Sequence, residues 1–186
     1  MNKIKQKVTY LTVVFIQFCI TATAQSTQDP IPVKVRLYWE TLTKDSGYWV
    51  ADNKSYNNSN EPFDAYGLIW ILGLANNSVN GTLYAIRNGK KAGRLFEYKM
   101  FYHPSKKRVI IEQFGTDGTY GIGELVIDAD FKTDLIQDFT NPTGIGYKTR
   151  HIEEIKNEDR YSQSYNQKPN GDWEKSRFYI WKREKF

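Results

Sequence analysis

Residues 97–124 read EYKMFYHPSKKRVIIEQFGTDGTYGIGE. Runs rich in aromatic and β-branched residues alternate here with turn residues at Pro104 and at Asp117-Gly118, the pattern of successive antiparallel strands joined by hairpins. Side chains alternate between the two faces of a strand. Phe96, Tyr98, Met100 and Tyr102 therefore share one face, and Leu95, Glu97, Lys99 and Phe101 the other. The first face is the more apolar and is expected inside. A hairpin centred on Pro104-Ser105 sets Tyr98 opposite Ile111, Met100 opposite Val109 and Phe96 opposite Gln113. Glu97 and Glu112 then face solvent with Lys99 and Arg108, where opposite charges offset the like pair. Read as a two-residue turn, Asp117-Gly118 sets Ile111 opposite Glu124 and Gln113 opposite Ile122. Glu124 is thereby expected on the inner face with Tyr98, Gln113, Tyr120 and Val126.

The same signals continue in both directions. Strands are expected near 47–52, 65–74, 80–87, 94–102, 108–115, 119–128, 134–140, 147–155, 159–167 and 173–183, with Asn88-Gly89 and Asn170-Gly171 as further tight turns. A hairpin about Asn170-Gly171 pairs Tyr161 with Ile180, Gln163 with Phe178 and Tyr165 with Ser176, a face expected inside. Tyr66, Leu68, Trp70 and Leu72 form a comparable wall upstream. Only VRLYWETLTKDSG, ending near Gly47, suggests helix, for a turn or two. The expected fold class is all-β, an up-and-down antiparallel β-barrel of about eight to ten strands with a short N-terminal helical turn.

The first 24 residues have a different character. Lys3, Lys5 and Lys7 precede the apolar run VTYLTVVFIQFCI, and ATA at 22–24 supplies small residues for cleavage. This reads as a secretory signal peptide (1–24), followed by a flexible leader (25–34) and a single barrel domain (35–186). An exported protein, periplasmic or extracellular after cleavage following Ala24, is the expectation. Phe18 precedes Cys19 where a lipoprotein signal needs a small residue, and Cys19 is the one cysteine. The mature chain then has no disulfide and no thiol chemistry. Formal net charge is +5. Without the three signal lysines it is 23 cations against 21 acids, or +2. No dense Lys/Arg stripe speaks for a nucleic-acid partner, and no integral membrane segment is expected after signal removal.

GYW at 47–49 opens the first strand after the helical turn. This is similar to the Gly-x-Trp signature of lipocalins and their calycin relatives. The resemblance implies that Trp49 packs at the closed end of the barrel beside a basic residue from late in the chain, Arg177 or Arg183. The order of export signal, helical turn, meander and last strand ending FYIWKR resembles uncharacterised calycin-like domains of secreted bacterial proteins.

Candidate chemistry is sparse. The two histidines, His103 in a hairpin loop and His151 in mid-strand, lack metal-ligand spacing, and no metal or other cofactor is called for. Nucleophile-elbow and phosphate-loop motifs are absent. Aromatic walls with few polar tips suit a cavity for a small, largely apolar or amphipathic molecule. The expected ligand-binding residues are Tyr66, Trp70, Tyr98, Met100, Gln113, Tyr120 and Glu124, with His103 at the mouth. Two other readings stand beside this one. An isomerase, cyclase or hydrolase would use Glu124 as general acid or base. A packed structural or interaction module would have no cavity.

Overall fold

A computed structural model describes residues 31–128 and 130–185. The expected signal peptide and residues 25–30 of the expected leader lie outside the described residues; residues 31–34 of that leader lie within them, and Val33 and Lys34 already belong to the helix. Helix α1 spans Val33–Thr43. Ten strands follow: β1 Tyr48–Asp52, β2 Ala65–Leu72, β3 Ser78–Arg87, β4 Lys90–His103, β5 Arg108–Gly115, β6 Tyr120–Ile127, β7 Lys132–Thr140, β8 Gly146–Lys156, β9 Asp159–Gln167 and β10 Trp173–Glu184. Each strand pairs antiparallel with its neighbours in sequence, and β10 closes the ring on β1. The fold is an all-β, ten-stranded, closed up-and-down barrel, an arrangement that leaves no unpaired sheet edge.

The helix is longer than expected, about three turns, because it starts directly after Pro32. Proline suits a helix start, where its missing N–H and fixed φ cost nothing. Val35, Tyr38, Trp39 and Leu42 are its buried residues, the i, i+3, i+4, i+7 stripe of one helical face. This stripe lies across one end of the barrel. Trp39 Nε1 donates to Met100 Sδ on β4 at 3.0 Å, Lys34 Nζ to the Ile127 carbonyl at the end of β6, and Trp49 Nε1 to the Leu42 carbonyl at 2.9 Å. Arg183 lies 4.2 Å from the centre of the Trp49 ring. Its guanidinium also donates to the Lys44 and Thr41 carbonyls that end the helix, at 2.7 and 2.9 Å. Of the two arginines considered for this place, Arg183 occupies it. Arg183→Met is expected to lower stability by about 1–3 kcal/mol, since it strips two helix-end carbonyls of a charged donor; a urea unfolding curve measures this.

Register decides which side chains face in. The β4–β5 loop has four residues, Pro104–Lys107, so Tyr98 pairs with Gln113 and Met100 with Ile111. Each pairing is displaced by two residues from the expected register, an even number, and the faces are as expected. At β5–β6 the displacement is one residue, which exchanges the faces. Gly115 N–H donates to the Thr119 carbonyl at 2.7 Å, leaving a three-residue loop, Thr116–Gly118. Gly118 sits at φ +89°, and the Asp117 carboxylate accepts from the Thr119 N–H and hydroxyl. Phe114 consequently pairs with Tyr120 and Ile110 with Glu124. The inner face of β6 is Gly121, Gly123, Leu125 and Ile127. The two glycines are there for space, not only curvature. A Cβ on Gly121 would come within 2.4 Å of the Phe139 ring, and one on Gly123 within 2.1 Å of the Ile136 carbonyl.

The β9–β10 hairpin shows the opposite kind of difference. Tyr161 pairs with Ile180 and Gln163 with Phe178, as expected, but a bulge between Lys175 and Phe178 pairs Tyr165 with Lys175 instead of Ser176. This face points outward, leaving Phe178 46% and Ile180 40% exposed. The inward residues are Arg160 and Ser162 on β9, buried, and Trp181 on β10.

Candidate functional site

The barrel interior holds a cavity of about 280 Å³. Apolar walls come from Leu68 and Trp70 on β2, Leu83 on β3, Met100 on β4, Ile111 on β5, Leu125 on β6, Leu135 on β7 and Trp181 on β10, with Tyr38 entering from α1. Five of the expected ligand-binding residues line it together: Tyr66, Trp70, Tyr98, Met100 and Gln113. Trp70 and Tyr98 are in ring contact at 5.4 Å between centres.

Three expected site residues lie elsewhere. Glu124 is on the outer face, its side chain 47% exposed, 3.4 Å from Arg108. Tyr120 is also outside, packed on Phe114 and donating its hydroxyl to Glu112. The extra loop residue at 116–118 moved both, since a one-residue shift turns a whole strand over. His103 ends β4 at the helix-covered end of the barrel, and its Nδ1 accepts from the Lys106 N–H in the hairpin. It does not line the cavity. Glu124→Gln is accordingly expected to change stability by less than about 1 kcal/mol, as for other exposed ion pairs, and to leave ligand affinity unaltered in a dye titration.

The polar interior comes from β8, whose faces were left open above, and from the face of β9 opposite to the Tyr161, Gln163 and Tyr165 face expected inside. Arg160 and Glu153 form a buried ion pair, their side chains 8% and 13% exposed. The guanidinium meets both carboxylate oxygens through Nε and Nη2 at 2.7–2.9 Å. The Ser162 hydroxyl donates a fourth bond to Glu153 at 3.0 Å. Arg160 also lies 5.8 Å from the Trp70 ring centre and 5.9 Å from that of Trp181. Burial opposes its charge, but the Glu153 carboxylate together with the Tyr38 and Tyr98 hydroxyls more than offsets this, and Arg160 stays protonated. Next along the same two strands, Ser164 Oγ and His151 Nδ1 are 3.0 Å apart. Burial holds His151 below the ordinary histidine value, with the Glu153 charge opposing and the Arg160 charge reinforcing the shift. Burial likewise pushes the Tyr98 hydroxyl well above its usual range. Across the cavity Gln137 Nε2 donates to Gln113 Oε1 at 3.4 Å.

A second cluster fastens the β1–β2 loop to the opposite end of the barrel. Arg177, which lines the cavity, forms a two-pronged pair with Glu61 from that loop. Glu61 also accepts from the Tyr66 hydroxyl and from Asn53 Nδ2. The Tyr179 hydroxyl donates to Asn53 Oδ1 at 2.8 Å. Tyr56 lies under the Arg177 guanidinium, 5.3 Å to the ring centre, and its hydroxyl accepts from the Phe178 N–H. Hydrogen bonding from Arg177 holds the Glu61 carboxyl below its ordinary value of 4.5. A depressed carboxylate stabilises the fold above its unfolded pKa, and that contribution is lost as pH falls through the folded value. Stability is therefore expected to decline below about pH 4.5, and Glu61→Gln to flatten that part of the curve. Urea midpoints measured across acidic pH for both proteins check this.

Parity could have located the β8–β9 cluster, because His151 and Glu153 share one face of β8 and Arg160, Ser162 and Ser164 one face of β9. Hydrophobicity pointed the other way, since the outer face carries Ile152, Tyr161, Phe178 and Ile180. Among the described residues no group of three or more His, Cys, Asp or Glu side chains is placed to hold a metal ion. No helix among them is long and apolar enough to cross a membrane. No protein-family model matches the chain, and no curated protein matches it in sequence.

Proposed function

We propose that the protein is an exported carrier or receptor for a small, largely apolar molecule, held inside the barrel. The observation that carries this reading is the cavity of about 280 Å³, walled by aromatic and aliphatic side chains and bordered by a few ordered polar groups. Ligand sites have this character: apolar area for affinity, few polar groups for orientation. A packed structural barrel would have filled this space, because protein interiors otherwise leave few voids larger than a water molecule. Trp49 beneath Arg183 at the helix-covered end supports kinship with the calycin-like barrels that GYW resembles. Export rests on the signal-like segment 1–24.

Titration with N-phenyl-1-naphthylamine, an uncharged apolar dye, tests the reading. Saturation at one dye per chain with enhanced, blue-shifted fluorescence is expected, and the complex should survive as a one-to-one adduct in native mass spectrometry. Dye fluorescence that rises without saturating would contradict an internal site.

A further inference from the structure

Two buried donors on residues that line the cavity, Trp70 Nε1 and Arg160 Nη1, have no hydrogen-bond partner among the described residues. They belong to neighbouring groups, the guanidinium carbon lying 5.8 Å from the Trp70 ring centre. Unpaired buried donors are costly, and native proteins seldom keep them. The Glu153 and Gln113 acceptors are already used. Both Glu153 oxygens take bonds from Arg160, and one also from Ser162. Gln113 Oε1 takes its bond from Gln137.

Charge narrows the chemistry further. Each guanidinium bordering the cavity is matched by a carboxylate, Arg160 by Glu153 and Arg177 by Glu61. A carboxylate ligand would add an unbalanced negative charge in a desolvated space, at a cost that these two remaining donors do not offset. A neutral oxygen needs no counter-charge.

We infer that the ligand is an uncharged molecule with a carbonyl-type oxygen, a ketone, ester or amide, seated between Trp70 and Arg160 with its hydrocarbon part against Leu68, Met100 and Leu125. This rests on the internal-binding reading above and specifies its ligand class. One oxygen accepts from both the indole and the guanidinium, using both lone pairs.

Competition against the bound dye by decan-2-one, decane and decanoate, near neutral pH, tests the inference. Decan-2-one is expected to bind about tenfold more tightly than decane, the worth of one or two net hydrogen bonds, and more tightly than decanoate. Trp70→Phe should reduce the ketone-to-alkane ratio several-fold. In the unaltered protein, the Trp70 indole N–H proton should move downfield with decan-2-one and not with decane, a readout independent of whether the variant folds. Equal binding of ketone and alkane, or tighter binding of decanoate, would overturn the inference while internal binding stands. If none of the three displaces the dye, and the dye itself does not saturate, both readings fall together.

Discussion

Replacing Glu153 with alanine is expected to destabilise the barrel by about 3–5 kcal/mol, because it leaves the Arg160 guanidinium charged, buried and unpaired. The carboxylate oxygens hold Nε and Nη2 and are in turn held by Ser162. After truncation three donors lose their acceptor in a space that water reaches poorly. The pair as a whole is worth less than its rupture costs, since both ions gave up hydration to reach the interior. Exchanging both residues for apolar side chains of similar size, Glu153→Leu with Arg160→Met, is therefore expected to restore most of the lost stability. Urea unfolding of the single and double variants measures the difference. Loss of equal size in both would mean that the pair is a net source of stability and not a device for fixing the interior. The double variant also lacks the guanidinium donor and should have a weaker preference for decan-2-one over decane, which separates the pair's binding role from its structural one.

Trp49→Ala is expected to cost a comparable amount, about 3–5 kcal/mol, the range for removing a large aromatic group from a core. Trp49 has no exposed surface, and three elements meet on it. Its indole N–H ties β1 to the last turn of α1 at Leu42, and its face carries Arg183 of β10. β1 and β10 are the strands whose pairing closes the ring. Loss of the ring thus loosens both the helix and the closure. Amide hydrogen exchange should show faster exchange in α1 and at the β1–β10 seam than in β6 and β7. A uniform change across the barrel would argue that Trp49 is only one core residue among many.

The fold was legible because its determinants are local. Asn88-Gly89, Pro104, Asp117-Gly118 and Asn170-Gly171 punctuate runs with strand composition, and consecutive hairpins in a chain of this length close most readily into a barrel. The site was legible only where the inner face is also the apolar face. On β2, β4 and β5 the two coincide, and Tyr66, Trp70, Tyr98, Met100 and Gln113 were placed together from parity alone. On β6 a single loop residue decided the outcome: Gly118 closes a three-residue loop and not a two-residue turn, and Glu124 with Tyr120 went to the outer surface. On β8 to β10 composition misled. His151, Glu153, Arg160, Ser162 and Ser164 face the cavity, while Tyr161, Phe178 and Ile180 face out. An interior that holds hydrogen-bonded polar groups cannot be recognised by hydrophobicity, because the bonds that make burial tolerable join residues on different strands. Arg177 and Glu61 are the extreme case, paired across 116 positions of sequence.

The chain has two methionines, Met1 and Met100, so a methyl label on methionine places one reporter inside the barrel. Met100 is buried on the cavity wall, with its sulfur accepting from Trp39. Following the Met100 methyl resonance by NMR during titration with N-phenyl-1-naphthylamine tests internal binding most directly. A saturable shift, caused by the nearby aromatic rings of the dye, is expected, with the same midpoint as the fluorescence titration. A dye that binds by fluorescence while the Met100 methyl stays in place would put the ligand on the outer surface and rule out internal binding.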